Sequence, residues 1–338
     1  MNKILSIIIP TYNMEEYLKR CLDSLVLPVQ SLMNSLEVLV IIDGATDNSS
    51  SIAHQYQDKY PETFRVFDKE NGNYGSCINR GLKEATGKYI RILDADDSFN
   101  TNNFIKYLKL LAQIDSDLIL TDYNLVDNKG NILERRSFDL ETMITTDIVK
   151  VLKPVSELEM HAITYRRQIL LDINYHQTEG ISYTDTEWAF IPLMAVNTVC
   201  YVNLQIYNYL VGRPGQTMDI SVLRKSMPQM MTVYKRLMQI YNGSHLDAHK
   251  NSILFDHRID GFVERTYGQT LYNKVLDKDE LKRLDEMVKK YKPVLYEALG
   301  NLNDGYVWYV KQWRRHDYSL PLYYWLIVRF VQLKRKYL

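Results

Sequence analysis

The chain has 338 residues, enough for about two or three domains at the usual ~100–200 residues each. Its 41 Lys and Arg residues balance 41 Asp and Glu residues, so no overall positive charge favours nucleic-acid binding. A hydrophobic fraction of 46% and a charged fraction of 24% exclude wholesale disorder and collagen-like or low-complexity architectures. The widely spaced Cys21, Cys77 and Cys200 predict neither a disulfide framework nor a CxxC metal motif, which favours a cytoplasmic location.

The apolar runs near the two ends of the chain are too short for targeting or membrane segments. The run Ile4–Ile9 stops at Pro10 after about six residues, whereas the apolar core of a signal peptide needs ~7–15. We therefore expect a first β-strand there. The run Leu322–Val328 is broken by Arg329, and a spanning helix needs roughly 20 such residues, so no transmembrane helix is expected.

Short β-branched runs alternate with helical patterns in the first hundred residues, an order that predicts a parallel α/β sheet. Asn13 and Glu16 resemble a capping box at the start of the first helix. Pro10, Thr11 and Tyr12 then form a strand-to-helix loop at the carboxyl edge of the sheet, where open α/β folds bind ligands. The alternating segments are Ile4–Ile9, Glu15–Leu25, Glu37–Ile42, Asp47–Tyr60, Arg65–Phe67, Tyr74–Ala85 and Tyr89–Leu93.

The pattern changes in the later part of the chain. Strands are expected at Leu118–Asp122 and Ile206–Val211, with a hairpin turn at Asn128–Asn131. Beyond about residue 220 long helical stretches follow, at Val222–Tyr241, Ile253–Tyr272 and Lys278–Leu299, and then an aromatic and basic tail from Tyr306 to Leu338. The sequence therefore predicts an α/β domain at 1–218, with halves 1–100 and 101–218, and a helical region at 219–338.

The strongest chemical signal is an apolar strand that ends in three carboxylates, at Ile92–Asp97. In extended backbone Asp94 and Asp96 share a face, while Asp97 turns aside. Two converging carboxylates repel each other unless a cation lies between them, and oxygen ligands select Mg²⁺ or Mn²⁺. The alternative is a solvated acidic turn that caps a helix at Thr101.

Glycine-containing segments lead directly into this acidic strand and permit close backbone approach to a ligand. They are Asn71–Gly75, Asn79–Gly81 and Gly87–Tyr89. No G-x-G-x-x-G follows the first strand, and no G-x-x-x-x-G-K-[ST] occurs in the chain. Nicotinamide-dinucleotide and P-loop functions are therefore excluded.

Several short motifs, named at the end of this paragraph in chain order, resemble those of the family 2 glycosyltransferases. The resemblance covers residues 1–215. The resemblance implies a GT-A fold, in which a Rossmann-like nucleotide-sugar half precedes an acceptor half and Mn²⁺ or Mg²⁺ binds the D-x-D motif. It implies inverting transfer of one sugar from a nucleotide donor, expected to be a UDP-sugar, to a polysaccharide, lipid-linked or glycoprotein glycan of bacterial surface type. The other hypothesis is a catalytically silent module that binds glycan or stabilises a partner transferase. The motifs are Ile7–Asn13, Asp43–Ser49, Asn71–Gly72, Asn79–Gly81 and Asp94–Asp97.

The resemblance also implies roles for individual residues at the donor site. Tyr12 is expected near the base, although packing on the sheet edge is an alternative, and Asp43 is expected to hydrogen-bond uracil or a neighbouring group. Ile78 stands where many relatives carry an Arg, which leaves a diphosphate contact from that position open. Asp47 is interpreted as a helix N-terminal residue. The residues assigned to nucleotide-sugar binding are Pro10, Thr11, Tyr12, Asp43, Asn71, Gly72, Asn79, Asp94, Ala95 and Arg213.

Metal binding and proton transfer are assigned by the same resemblance. Asp96 is the expected metal ligand, and Asp97 is a weaker candidate for donor contact. Inverting transfer also needs a carboxylate that removes the acceptor hydroxyl proton. Asp185, within Gly180–Trp188, is the expected base, and helix capping with Glu187 as the third-position partner is its alternative.

Two further features keep two interpretations each. Arg213 and Gln216 either close over the diphosphate or form a surface turn. His161, at the end of an expected strand Met160–Tyr165, either borders the acceptor or metal site or is a satisfied core histidine.

The aromatic and basic tail suits either an interface helix on anionic lipid or a helical lid with a solvated basic end. The first interpretation places the chain peripherally on the inner face of the cell membrane. The tail residues concerned are Trp308, Trp313–Arg315, Tyr323–Trp325, Arg329 and Lys334–Lys336.

Overall fold

A computed structural model describes residues 3–151, 158–213, 220–243, 252–301, 307–319 and 326. Gln216 and most of the expected lipid-facing tail lie outside these residues. The chain divides into two compact units, Met1–Pro214 and Gly215–Leu338.

The first unit contains a sheet of ten strands in the order β3-β2-β1-β4-β9-β6-β10-β5, with β7 paired to β6 and β8 to β10. β1, β2, β3 and β4 run parallel, whereas β9 is antiparallel to β4 and β6. The strands are β1 (Leu5–Thr11), β2 (Leu36–Asp43), β3 (Phe64–Lys69), β4 (Tyr89–Ile92), β5 (Ser98–Phe99), β6 (Leu118–Val126), β7 (Ile132–Arg136), β8 (Thr145–Asp147), β9 (Ile163–Arg166) and β10 (Thr198–Leu210).

Helices connect these strands, and the mixed α/β architecture expected from the sequence is confirmed. Ile, Val and Leu runs make β1 and β2 central strands that are buried except at Pro10, as parallel strands covered on both faces require. Short 3₁₀ turns occur at Ile148–Val151, Met160–Ala162 and Ile191–Met194. The helices are α1 (Glu15–Asp23), α2 (Gln30–Ser35), α3 (Ser49–Lys59), α4 (Asn73–Glu84), α5 (Thr101–Leu111), α6 (Arg167–Asp172) and α7 (Asp185–Phe190).

The capping box expected at Asn13 and Glu16 is wrong. α1 begins at Glu15 with Met14 as its N-cap residue and no side-chain cap. Asn13 instead adopts a φ of 51°, and its Oδ1 accepts a hydrogen bond from the Thr46 backbone N–H at 2.8 Å. Asn13 therefore joins the loop after β1 to the loop after β2.

The described part of the second unit consists of helices: α8 (Ile220–Gly243), α9 (Ser252–Asn273), α10 (Lys278–Tyr291), α11 (Pro293–Asn301) and α12 (Val307–Arg315). The single helix expected over Lys278–Leu299 is two helices, because Pro293 removes the N–H that would continue α10. Among the residues the structure describes, none of the helices combines the length and the apolar character needed to cross a bilayer.

A buried carboxylate organises the end of this unit. Asp285 is 1% exposed, and both of its oxygens accept hydrogen bonds from Arg314, at distances between 2.7 and 3.1 Å. The hydroxyls of Tyr267 and Tyr318 donate to the same carboxylate at 2.5 and 2.7 Å. Trp313 is also buried. Trp313 and Arg314 are therefore packed within the helical unit and cannot face lipid.

Candidate functional site

The carboxyl ends of β1, β2 and β4 lie at one edge of the sheet because these strands are parallel neighbours. We call this edge, together with the residues that follow each strand, the carboxyl edge. It brings together the expected donor-site residues Thr11, Asp43 and Asp94. Thr11 is buried at the end of β1, and the next residue, Tyr12, exposes 49% of its surface.

Asp43 makes several hydrogen bonds at the end of β2, through both its carboxylate and its backbone carbonyl. Its carboxylate pairs with Lys69 and accepts a hydrogen bond from the Gly72 backbone N–H at 2.9 Å. Its carbonyl accepts one from the Asn71 side chain at 2.9 Å. Gly44 has a φ of +67°, and a Cβ there would lie 3.0 Å from the Asn71 backbone nitrogen. The expected residues Asp43, Asn71 and Gly72 therefore form one connected loop structure.

The backbone after β4 forms a turn, closed by a hydrogen bond from the Asp97 N–H to the Asp94 carbonyl at 3.0 Å, rather than the extended segment expected from the sequence. The expectation that Asp94 and Asp96 share a face while Asp97 turns aside is therefore wrong, because the turn brings Asp94 and Asp97 together. Asp94 accepts a hydrogen bond from the Tyr74 hydroxyl at 2.9 Å. Asp97 is 1% exposed and accepts from the Tyr207 hydroxyl at 2.6 Å and from the Leu210 backbone N–H at 2.7 Å. The Tyr207 oxygen also accepts from the Asp94 backbone N–H at 3.1 Å, so one tyrosine holds both ends of the turn.

The turn is not the cap of the following helix. Asn100 caps α5, its side chain accepting a hydrogen bond from the Asn103 backbone N–H at 3.1 Å. The carboxylates of the acidic turn are therefore not engaged in helix capping, which removes the structural alternative considered for them.

Asp96 faces two arginines. Its Oδ2 accepts a hydrogen bond from Arg213 Nε at 2.6 Å, and its backbone carbonyl accepts one from Arg20 at 2.7 Å. The Arg213 guanidinium also lies 5.8 Å from the centroid of the Tyr17 ring. Arg213, which follows β10, is thus part of the same site as the acidic turn.

His161 lies in a 3₁₀ turn rather than in the expected strand, which begins only at Ile163. Its ring stacks on Tyr209 with centroids 4.3 Å apart and meets Tyr207 edge-on at 4.8 Å. One ligand atom each from Asp94, Asp97 and His161 lies within 4.8 Å of the others. His161 Nδ1 is buried and has no hydrogen-bond partner among the described residues. The histidine therefore borders the carboxylate cluster.

The electrostatics of this cluster favour a cation. Burial and the neighbouring Asp96 charge raise the pKa of Asp94 to about 7. The same two causes raise the pKa of Asp97 well above its ordinary value. Burial and then the Arg91 charge lower the pKa of His161 to about 3, so its imidazole is neutral near pH 7. Two carboxylates and a neutral imidazole fit a divalent ion such as Mn²⁺.

Asp185 is the first residue of α7, and Glu187, two residues later, makes hydrogen bonds to Thr178. Burial is the main reason that the pKa values of Tyr74 and Asp94 are raised, and the charge of Asp185 makes a smaller contribution to both. Asp185 therefore lies near the acidic turn. Glu187 is fully buried and accepts hydrogen bonds from the Thr178 backbone and hydroxyl at 2.8 and 2.6 Å. Glu187 therefore anchors the loop that carries Thr178, and the N-cap residue of α7 is Thr184, with no side-chain cap.

The contacts of Asn79 and Ala95 give less direct support to the nucleotide-binding role that the resemblance implies for them. The Asn79 side chain exchanges two hydrogen bonds with the Gln177 backbone, at 2.8 and 2.9 Å, in the loop that precedes α7. Ala95 is 2% exposed within the acidic turn, and Pro10 is half-buried.

Several side chains of the site were not identified from the sequence. Tyr74, Tyr207 and Arg20 hold the acidic turn, but a single Tyr or Arg in a helix or strand carries no local signal of this role. Only their positions in the sequence could have identified two of these residues. Tyr207 lies in the Tyr-Asn-Tyr segment that precedes Arg213, and Tyr74 lies at the start of the glycine-containing helix.

The chain was compared with known protein families and with known proteins. The sequence model of the family described as Glycosyl transferase family 2 matches residues 6–173. The "Uncharacterized glycosyltransferase MG060 homolog" of Mycoplasma pneumoniae is 30% identical over 242 residues, which are 70% of this chain and 78% of that protein. The poly(ribitol-phosphate) beta-N-acetylglucosaminyltransferase TarS of Staphylococcus aureus is 25% identical over 93% of this chain, which spans only 56% of TarS.

Solved structures give the same result for the fold. The crystal structure of TarS residues 1–349 with UDP-GlcNAc has a TM-score of 0.64 at 20% identity and covers 86% of this chain and 82% of that chain. The mannosyltransferase PcManGT of Pyrobaculum calidifontis, solved with GDP-Man and Mn²⁺, has a TM-score of 0.50 at 15% identity, over 88% of this chain and 83% of that one. The chain belongs to glycosyl transferase family 2, has the GT-A fold and is a glycosyltransferase.

Proposed function

We propose that this glycosyltransferase transfers one sugar, with inversion, from a UDP-sugar to a hydroxyl group of a cell-envelope glycan or polyol-phosphate polymer. The observation that carries the proposal is the cluster of Asp94, Asp97 and His161 at the carboxyl edge, whose ligand atoms lie within 4.8 Å of one another, and Asp185 is close enough for its charge to act on Asp94 and Tyr74. A general base and a carboxylate cluster at one site are what inverting transfer from a nucleotide diphosphate requires. We assign this chemistry to residues 1–218, with donor binding in 1–100 and acceptor binding in 101–218.

The carboxyl edge supplies the groups for the nucleotide. The exposed ring of Tyr12 offers a face on which uracil can stack, next to the buried Thr11 and the half-buried Pro10. Asp43, held by Lys69 and Gly72, presents a fixed carboxylate for the base or ribose. TarS, which has a similar fold, was solved with UDP-GlcNAc, which supports UDP as the carrier and N-acetylglucosamine as the first sugar to test.

Asp94, Asp97 and His161 are the residues that we propose hold Mn²⁺ or Mg²⁺, with Asp96 as a further ligand candidate. The ion, when bound, neutralises the diphosphate as the sugar–phosphate bond breaks. Tyr74 and Tyr207 hold Asp94 and Asp97 by hydrogen bonds, so the two carboxylates are oriented before any ligand arrives. The family resemblance also assigns Asp94 to contact with the ribose or the transferred sugar.

Asp185 is the proposed base, which accepts the proton of the acceptor hydroxyl as that oxygen bonds to the anomeric carbon. Its position in the first turn of α7 favours the ionised carboxylate. We assign a diphosphate contact to Arg213, and its pairing with Asp96 supports this role because it keeps a cation next to the acidic turn. Inversion requires the acceptor oxygen to attack the side of the sugar opposite the nucleotide, and the proposed roles of Asp185 and the acidic turn assume this arrangement.

Two features support a polymer of the cell envelope as the acceptor. TarS, which is similar to 93% of this chain, acts on poly(ribitol-phosphate), whose repeating hydroxyls are possible sites of transfer. The basic tail of the chain, with Lys334, Arg335 and Lys336, suits peripheral attachment to the anionic inner face of the cell membrane.

A panel of UDP-sugars tests the proposal directly. The full chain is incubated with Mn²⁺ and UDP-GlcNAc, UDP-glucose, UDP-galactose or UDP-GalNAc, each with and without poly(ribitol phosphate), and UDP release is measured. We expect one donor to be preferred, release to be accelerated by the polymer, and EDTA to abolish it. Absence of UDP release with every donor, combined with measurable UDP binding, would instead indicate a catalytically silent module.

A further inference from the structure

Asn79, which the family resemblance assigns to nucleotide binding, is directed by the structure toward the loop before Asp185. Its Oδ1 accepts a hydrogen bond from the Gln177 backbone N–H at 2.8 Å, and its Nδ2 donates to the Gln177 carbonyl at 2.9 Å. Nδ2 also donates to Glu179 Oε1 at 2.8 Å. One side chain therefore fixes three polar groups of the same loop.

The loop docks along one face of α4. Gly72, Gly75 and Asn79 are three and four residues apart, a spacing that places them on the same side of a helix. The Gly72 carbonyl accepts a hydrogen bond from the Gly180 N–H at 2.9 Å. A Cβ on Gly75 would lie 1.9 Å from the Thr178 carbonyl oxygen, so only glycine allows this approach. The glycine-containing segment of the sequence therefore serves as a docking face for residues 176–180.

A second set of hydrogen bonds extends from the loop to the residue before the proposed base. Gln177 is fully buried, and its Nε2 donates to the carbonyl and the hydroxyl oxygen of Thr184 at 2.6 and 3.0 Å. Thr184 is fully buried as well and directly precedes Asp185. The Thr178 contacts with Glu187 attach the same loop to the first turn of α7.

We propose that Asn79 and Gln177 are positioning residues that hold Asp185 in place through the loop 176–180 and Thr184. The inference rests on the proposed function, because it presumes that Asp185 is the base. Asn79 then acts on proton transfer rather than on the nucleotide. Displacement of a reacting group by about 1 Å costs roughly 10²-fold in rate, so loss of this support should affect turnover more than binding.

Asn79→Ala tests the proposal in the full chain with three measurements. UDP affinity is measured by calorimetry in Mn²⁺, UDP release from UDP-GlcNAc is measured with poly(ribitol phosphate), and hydrogen exchange is followed over residues 176–188. We expect UDP affinity within about twofold of wild type, a 10- to 100-fold loss of rate, and faster exchange in this segment. Asn128→Ala, at an exposed turn position, is the matched control and should change none of the three.

Gln177→Met provides a second variant, which removes the donor to Thr184 while it leaves the length of the side chain and the Asn79 contacts in place. We expect Gln177→Met, like Asn79→Ala, to keep its UDP affinity and to lose transfer rate. It serves as the test if Asn79→Ala does not fold. UDP affinity lowered tenfold or more in Asn79→Ala, with exchange of the loop unchanged, would make Asn79 a nucleotide contact and overturn the proposal.

Asp185→Asn, measured alongside, separates the two levels of inference. If Asp185→Asn is inactive but Asn79→Ala and Gln177→Met keep wild-type rates, the positioning role is wrong and the proposed base stands. If Asp185→Asn itself keeps its rate, the proposed base is wrong, and the positioning role fails with it.

Discussion

Arg213 donates a hydrogen bond from Nε to Oδ2 of Asp96 at 2.6 Å, so a cation of the chain pairs with the carboxylate that the family resemblance assigns to the metal. Both side chains are mostly buried, with 23% of Arg213 and 13% of Asp96 exposed. If Asp96 is a metal ligand, as the family resemblance implies, a divalent ion and Arg213 compete for the same oxygen. The guanidinium released by that competition carries a positive charge that suits a diphosphate.

Arg213→Ala should consequently change metal and nucleotide binding in opposite directions. Removal of a competing partner worth about 1 kcal/mol should tighten binding of Mn²⁺ alone by about fivefold. UDP binding in saturating Mn²⁺ should weaken, because the diphosphate loses a cation. Calorimetric titration with Mn²⁺ and then with UDP measures both, and Arg135→Ala on the exposed strand β7 is the control. Unchanged Mn²⁺ affinity would show that the ion pair does not limit metal binding.

Asp185 and Glu187 are two residues apart, yet their substitution should give different results. Asp185→Asn should retain UDP affinity and thermal stability but lose about 10²- to 10⁴-fold in transfer rate, the usual contribution of a general base. Glu187→Gln should lower the melting temperature, because it replaces one of the two oxygens that bind Thr178 in a fully buried site. A rate loss below tenfold in Asp185→Asn, in a folded protein, would contradict the assignment of the base.

The parts of the fold that the sequence predicted well are those in which one local pattern repeats. β1 and β2 are rich in Ile, Val and Leu, and the buried Leu18, Cys21 and Leu22 of α1 follow the helical period. α2 was missed because six residues carry too little periodicity. α10 and α11 were merged because the apolar period continues across Lys292 and Pro293.

The candidate site was predicted only in part because its contacts join distant segments. The D-x-D turn was identified from its own three carboxylates. The groups around it arrive from elsewhere: Tyr207 is 110 residues from Asp97, and Arg213 is 117 residues from Asp96. No spacing rule links such pairs, and Asn79 shows the same limit, since its partner Gln177 is 98 residues away.

Asp47 gives a prediction of pH dependence that is independent of any metal. Its carboxylate accepts hydrogen bonds from the backbone N–H groups of Glu15 and Ser49, at 2.9 and 3.0 Å, and so serves the first turns of α1 and α3. Partial burial raises the pKa of Asp47, but these hydrogen bonds outweigh it and leave the pKa below its ordinary value. A lowered pKa stabilises the fold above the unfolded value near ~4, and this contribution is lost as the pH falls.

Asp47→Asn should therefore lower the free energy of unfolding by about 1 kcal/mol at pH 7, since one cap acceptor is lost. The difference from wild type should shrink as the pH falls from about 5 toward 3, when the native carboxylate becomes protonated. Urea titrations at several pH values measure it, with Asp58→Asn at an exposed position as the control. A difference that is independent of pH would mean that the charge of Asp47 contributes nothing.

The basic tail yields a prediction about membranes, and the structure narrows the residues that can contribute. Trp313 is 6% exposed and Arg314 pairs with Asp285, so both belong to the interior of the helical unit. Tyr318 also donates to Asp285, at 2.7 Å, so a truncated chain must retain residue 319 to keep this network. Leu326 is 71% exposed, which does not favour its burial in a lid. If the tail binds lipid as proposed, we therefore expect its residues beyond 319 to make the main contacts, since Trp313, Arg314 and Tyr318 are engaged within the helical unit.

We expect the full chain to sediment with phosphatidylglycerol vesicles at low salt and to be released at high salt, while a chain that ends at residue 319 stays in solution. Each cation near an anionic surface contributes about 1 kcal/mol, so alanine at Lys334, Arg335 and Lys336 together should weaken partitioning roughly a hundredfold. Alanine at Lys83, Lys106 and Lys109, three exposed cations in α4 and α5, removes the same charge elsewhere and should have little effect. Equal loss in both triple variants would indicate a response to net charge alone. Equal sedimentation of the full and shortened chains would exclude the tail as the membrane contact.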